Sequence, residues 1–186
     1  MTPDPLFTRA AGQEGLFTTA QAEACGYSRQ LLQHHVRAGK FQRVRRGIYR
    51  FAEFPAGTHE ELVVAWLWSA QQGVVSHESA LCLHELADAL PARIHLTLPT
   101  AWQRRRLQVP EDIDLHYAAI PKADRTWFGP VPATTPARTL NDCARDGLEP
   151  DLLRQAAQQA LRRGRALLGD LPQVVEALAP FGGLAA

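Results

Sequence analysis

Two short stretches of helical period, joined by a tight linker, are followed by a change to a period of two. Together they organise the first fifty residues. Within GLFTTAQAEACG (15–26), Thr18 or Thr19 is placed to cap a helix, Gln21 or Glu23 to close its first turn, and Gly26 to stop it. Ser28 then caps RQLLQHHVRAGK, where Leu31, Leu32, His35 and Val36 recur at helical spacing and Gly39 ends the run. The linker Cys25-Gly26-Tyr27 makes the pair a helix-turn-helix. From Phe41 to Phe51 the pattern becomes that of a β-hairpin, with Val44, Ile48, Tyr49 and Phe51 around the turn Arg45-Arg46-Gly47. Helix, turn, helix and hairpin in that order predict a winged helix. A further short helix is expected within residues 4–14.

Beyond this module the chain becomes more apolar. The segment 52–60, with Pro55 and Gly57, reads as a junction. ELVVAWLWSAQQG (61–73) predicts a buried helix, and Ser76 is placed to cap another over 77–88. Alternation of Ile94, Leu96 and Leu98 predicts a strand in 92–100. Ile113, Leu115 and Tyr117 predict a second in 112–120. Thr135 and Pro136 suit the cap and first position of a helix, and helices follow at about 150–163 and 170–179 before a fraying tail. The expected fold class is α/β (α+β), with a winged helix-turn-helix over 1–54 and a larger helix-rich domain with a small β-sheet over 59–186.

Charge sharpens this division. The formal net charge is +1, yet residues 1–58 hold eight Lys/Arg against four Asp/Glu, whereas residues 59–186 hold twelve against fifteen. The stretch from Tyr27 to Phe51 has seven cations and no acid. Such a local surplus on a helix and hairpin is the footprint of a duplex phosphate backbone. On the second helix, Arg29, Gln30, Gln33, His34 and Arg37 are the expected DNA-facing residues, since arginine and glutamine are usual partners of guanine and adenine. Lys40, Arg43, Arg45, Arg46 and Arg50 are expected to meet phosphate or the minor groove from the hairpin. Arg104, Arg105 and Arg106 form a second basic patch, either a further DNA contact or an exposed loop.

Other chemistry is poorly supported. The three cysteines lie about 60 residues apart with no CxxC pair, a spacing that fits neither a zinc ribbon nor a disulfide framework. Seven histidines are present, but His77-Glu78 is followed by Leu81 where an HExxH site needs histidine. His77 and His84 would share a helical face, while His95 and His116 sit on strands. No metal site, cofactor or catalytic residue is expected. Asp142, Asp146 and Arg138 could imitate a nuclease site, but the carboxylate–lysine strand pattern is missing. With no long apolar run and no signal-peptide pattern, a cytoplasmic protein without membrane spans is expected.

Residues 15–51 resemble the winged-helix domain of the abortive-infection AbiEi antitoxins of type IV toxin–antitoxin systems. The matching elements are FTTAQA, the S-R-x-L-x-x-x-V-x-x-G helix and the V-R-R-G-x-Y wing. VVSHESALCLHELADALPARIHLTLPT and TTPARTLNDCARD are similar to the C-terminal portion of many bacterial members. The resemblance implies a DNA-binding repressor of its own operon, acting at promoter repeats on double-stranded DNA. It also implies a functional partner, a nucleotidyltransferase-like toxin countered without a stable complex. By that resemblance Ser28, Arg29 and Arg37 belong to the recognition helix, and Arg43, Arg45, Arg46 and Tyr49 to the wing, Tyr49 as packing. The alternatives are a protein-interaction module that binds a toxin or other partner directly, and a nucleic-acid enzyme.

Overall fold

The computed structural model describes residues 4–87 and 91–184. Parts of two sequence expectations, the end of the helix over 77–88 and the last two residues of the tail, lie outside the described residues. The chain divides into two compact units. One runs up to Gln72 and includes 129–131; the other holds 73–128 and the residues from Pro132 onward.

The first unit has helices α1 (Pro5–Ala11), α2 (Thr19–Ala24), α3 (Arg29–Arg37) and α4 (Glu60–Trp68). Its strands β1 (Leu16–Thr18), β2 (Phe41–Arg45) and β3 (Ile48–Phe51) form an antiparallel sheet in the order β1-β3-β2. Thr18 caps α2 through a reciprocal box with Gln21, and Ser28 Oγ accepts the Leu31 N–H to cap α3. The winged helix is thus present with the expected caps. β1 had no sequence expectation of its own, because a three-residue strand is too short to show a period.

The core of this unit is aromatic. Phe17, Phe41 and Phe51 are fully buried, with ring centroids 4.8–5.3 Å apart, and Phe7 packs edge-on to Phe51 at 5.4 Å. Rings at these separations gain from edge-to-face geometry as well as from burial. Gln13 and Gln21 exchange side-chain amide bonds in the same interior, and Gln71 also donates to Gln13. Glu60 of α4 holds Arg50 of β3 by an ion pair, and the segment 52–60 lies inside this unit rather than between units. The chain divides after Gln72, not at 52–60.

A five-stranded sheet, in the second unit except for Val131, has the order β6-β5-β4-β8-β7. Its strands are β4 (Val74–Val75), β5 (Ile94–Leu98), β6 (Ile113–Tyr117), β7 (Arg125–Phe128) and β8 (Val131–Thr134). β4 runs antiparallel to β5 and parallel to β8, and β5 runs parallel to β6. Helices α5 (His77–Leu83), α6 (Pro136–Arg145), α7 (Pro150–Arg162) and α8 (Pro172–Leu178) bury Leu81, Leu140, Leu153 and Leu178 in one cluster. This mixed architecture is the α/β (α+β) class expected. Ser76 precedes α5 but makes no capping bond; its hydroxyl joins Thr97 instead. Thr135 likewise makes no side-chain cap, although Pro136 does open α6.

Asp4 ties the start of α1 to the linker between α2 and α3. It accepts the Leu6 N–H at the start of α1 and the Tyr27 hydroxyl at 2.5 Å. Burial first, then the Asp4 carboxylate, pushes the Tyr27 phenol up to about 12. A raised folded-state value means that the proton stabilises the fold. This contribution is complete below the ordinary tyrosine value of about 10 and is lost as pH rises through about 12. Tyr27→Phe is therefore expected to cost about 1 kcal/mol at neutral pH. It should also remove part of the wild-type fall in urea midpoint across that alkaline window, a difference read by denaturation at stepped pH.

Candidate nucleic-acid interface

Helix α3 places its side chains unevenly. Leu32 is its one fully buried residue, while Leu31, expected in the apolar stripe, is 39% exposed. His35 and Val36 are half-buried, and the His35 ring meets those of Tyr27 and Phe41. The rest of the helix, Arg29, Gln30, Gln33, His34 and Arg37, faces outward. Ser28 is exposed too, with its hydroxyl already engaged as the cap.

The wing is fixed to α2. Its turn ends in Gly47 at φ +76°, a left-handed conformation that a side chain would strain. The Gly47 carbonyl accepts from both the backbone N–H of Thr19, at 2.9 Å, and the Thr19 hydroxyl, at 3.3 Å. Register slips between Arg43 and Arg45, a bulge that increases local twist and leaves Val44 at the surface. Tyr49 is buried and stacks on Phe17 at 5.8 Å, consistent with a packing role.

Between helix and wing lies a cleft of about 370 Å³ lined by Arg29, Gln33, Arg43 and Arg46, with Thr19 and Tyr49 among its walls. Two elements separated in sequence thus bring three cations and an amide to one concave surface. Among the described residues, Arg37, Arg43 and Arg46 make no ion pair, and Lys40 lies over the Phe41 ring at 5.7 Å.

Three cations differ from the simple expectation. Arg29 meets Glu23 at 3.1 Å, although both remain well exposed. Arg50 is half-buried and held by Glu60 and by Gln42, so the wing cation expected to touch phosphate is already paired. Arg45 is half-buried as well. The acids responsible for the pairs, Glu23 and Glu60, lie just outside the acid-free segment. This is why charge counting within it overstated the free cations.

In the second unit Arg104, Arg105 and Arg106 are exposed after β5, with Arg105 over the Trp102 ring at 4.1 Å. Asp142 is buried and bound by Arg138 and Arg145, while Arg138 also reaches Asp124 at 3.0 Å. The carboxylate that could have imitated a nuclease site is therefore saturated by guanidinium groups. His84 caps α5 and contacts the Thr134 carbonyl, away from His77. His77, His95 and His116 instead come together, a grouping absent from the sequence reading. Burial lowers His77 to about 3 and draws His116 down as well. No described helix is long and apolar enough to cross a membrane.

A comparison with curated proteins finds no match. A family model described as "Transcriptional regulator, AbiEi antitoxin" matches residues 4–52, from the N-cap of α1 to one residue past β3. The match spans α1, α2, α3 and the three-stranded sheet, and includes every residue that lines the cleft. Over these residues the N-terminal winged module is similar to the AbiEi antitoxin transcriptional regulators.

Proposed function

We propose that this chain is a DNA-binding transcriptional regulator of the AbiEi type. Helix α3 enters the major groove, and the strand of phosphates beside it runs through the cleft between α3 and the wing. The carrying observation is the convergence of Arg29, Gln33, Arg43 and Arg46 on that concave surface. Phosphate contacts set position, and side chains that reach base edges set sequence preference. Arg43 and Arg46 take the first role; Arg29 and Gln33 take the second, with Gln30, His34 and Arg37 alongside on the exposed helix. Arg29 can exchange its exposed contact with Glu23 for DNA at little cost, because surface pairs contribute only about 0–1 kcal/mol.

On this reading the protein represses its own operon at promoter repeats and opposes a nucleotidyltransferase-like toxin in the cytoplasm without forming a stable complex with it. The second unit serves the regulatory or antitoxin role, and Arg104, Arg105 and Arg106 extend the DNA contact. No catalytic step is assigned.

Alanine at Arg43 and Arg46 together should weaken binding to every duplex. It should also flatten the slope of log affinity against log salt by about 1.8, near 0.9 per lost phosphate contact. Arg50→Ala is expected to lower thermal stability and leave that slope intact. Unchanged slopes in the Arg43/Arg46 variant would remove the wing from the interface.

Arg29→Ala and Gln33→Ala are expected to relax preference at individual operator positions by about 1–3 kcal/mol each, measured by competition with base-substituted promoter fragments. Co-elution with the toxin in size exclusion, combined with no shift of upstream DNA, would favour the protein-interaction reading instead.

A further inference from the structure

Three imidazoles from distant parts of the chain meet at one end of the second unit's sheet. Because β5 and β6 pair in parallel, with His95 opposite Asp114 and Thr97 opposite His116, His95 and His116 lie on the same sheet face two residues out of step. His95 Nδ1 and His116 Nε2 are 3.0 Å apart. His77, the first residue of α5, lies with its ring flat over that of His116, centroids 3.6 Å and planes 18° apart; since imidazole lone pairs lie in the ring plane, one of these two rings turns out of the stack when both bind one ion. One ring nitrogen from each histidine falls in a set whose members all lie within 4.8 Å of one another.

The surroundings hold this set in place. His77 Nδ1 is 2.9 Å from Ser76 Oγ, which contacts Thr97 Oγ1 at 2.7 Å, so the ring is oriented from behind and, among the described residues, its Nε2 makes no hydrogen bond. Ser79 Oγ accepts the His95 backbone N–H, and the Ser76 N–H donates to the His95 carbonyl. His77 itself has φ +50°, a left-handed backbone for a residue with a side chain. Such conformations persist where surrounding structure enforces them, and they gather at functional positions.

We propose that His77, His95 and His116 form a site for a divalent transition metal of the zinc class, with its fourth position open to the adjoining cleft. Two nitrogens bound to one tetrahedral zinc at about 2.0–2.1 Å lie about 3.3–3.4 Å apart, close to the His95–His116 separation. Imidazole nitrogen suits zinc, copper, nickel and iron(II), whereas calcium and magnesium require oxygen. Ser76 is the outer partner that ligating histidines normally have on their second nitrogen. The adjoining cleft, about 280 Å³, is walled by Thr97, Arg138 and Asp146 beside two of the histidines, leaving room for a water or an anionic group at the metal.

The test uses the full chain stripped with chelator. Titration with Zn²⁺ by calorimetry should show one tight equivalent, and Co²⁺ should give the intense visible bands of tetrahedral nitrogen coordination. His95→Gln and His116→Ala should each weaken Zn²⁺ binding by about tenfold or more, and Ser76→Ala by about 10–100-fold, while His59→Ala leaves it unchanged. The wild-type Co²⁺ spectrum tests the site without relying on any variant. Weak octahedral-type bands, or Zn²⁺ affinity indifferent to both histidine changes, would overturn the assignment.

Discussion

The packing of Phe17, Phe41 and Phe51 sets the geometry on which the first unit's surface depends. Each ring comes from a different strand, so their mutual burial locks β1, β2 and β3 into one sheet and fixes the direction of the wing. Helix α3 has only nine residues, too few to be stable alone in water. It is held by its Ser28 cap, by Leu32 in the core and by the contact of His35 with Phe41. Phe41 therefore belongs to both the sheet and the helix packing. The cleft between α3 and the wing is a consequence of that shared anchor.

Electrostatics then divides the cations of this surface. Glu60 holds Arg50 where both are largely withdrawn from water, and a cation so placed is costly to strip of its partner. Glu23 meets Arg29 in the open, where solvent screens the pair. Arg43 and Arg46 have no acid beside them among the described residues. The resulting pattern has fixed charge at the margin and available charge in the concave centre. That is the distribution expected of a surface that attracts polyanions without losing its fold to self-repulsion.

The second unit shows a different use of polar residues. Ser76, Thr97, His77 and Ser79 are buried where β4, β5 and α5 meet, and their hydroxyl and imidazole groups are hydrogen-bonded. Buried polar groups of this kind are tolerated only when satisfied, and once satisfied they specify one arrangement of the elements around them. Here that arrangement also fixes the position of the His77 ring beside His116.

Much of the first unit was legible in order of residues alone. Caps at Thr18 and Ser28, the glycine stops and the change of period at Phe41 are local signals, and local backbone preferences carry them. The exposed face of α3 and the basic wing were visible for the same reason. Pairing between distant residues was not. Glu60 beside Arg50, the two-residue β4, the β7–β8 hairpin, and three histidines separated by about twenty residues each depend on which strands become neighbours. The sequence by itself determined the helix-turn-helix, the hairpin and the acid-free run of cations, because these follow from local periodicity and side-chain chemistry. Which cations stayed unpaired, where the chain divides and which histidines meet were decided by tertiary structure, since strand order and register bring together groups that no local pattern connects.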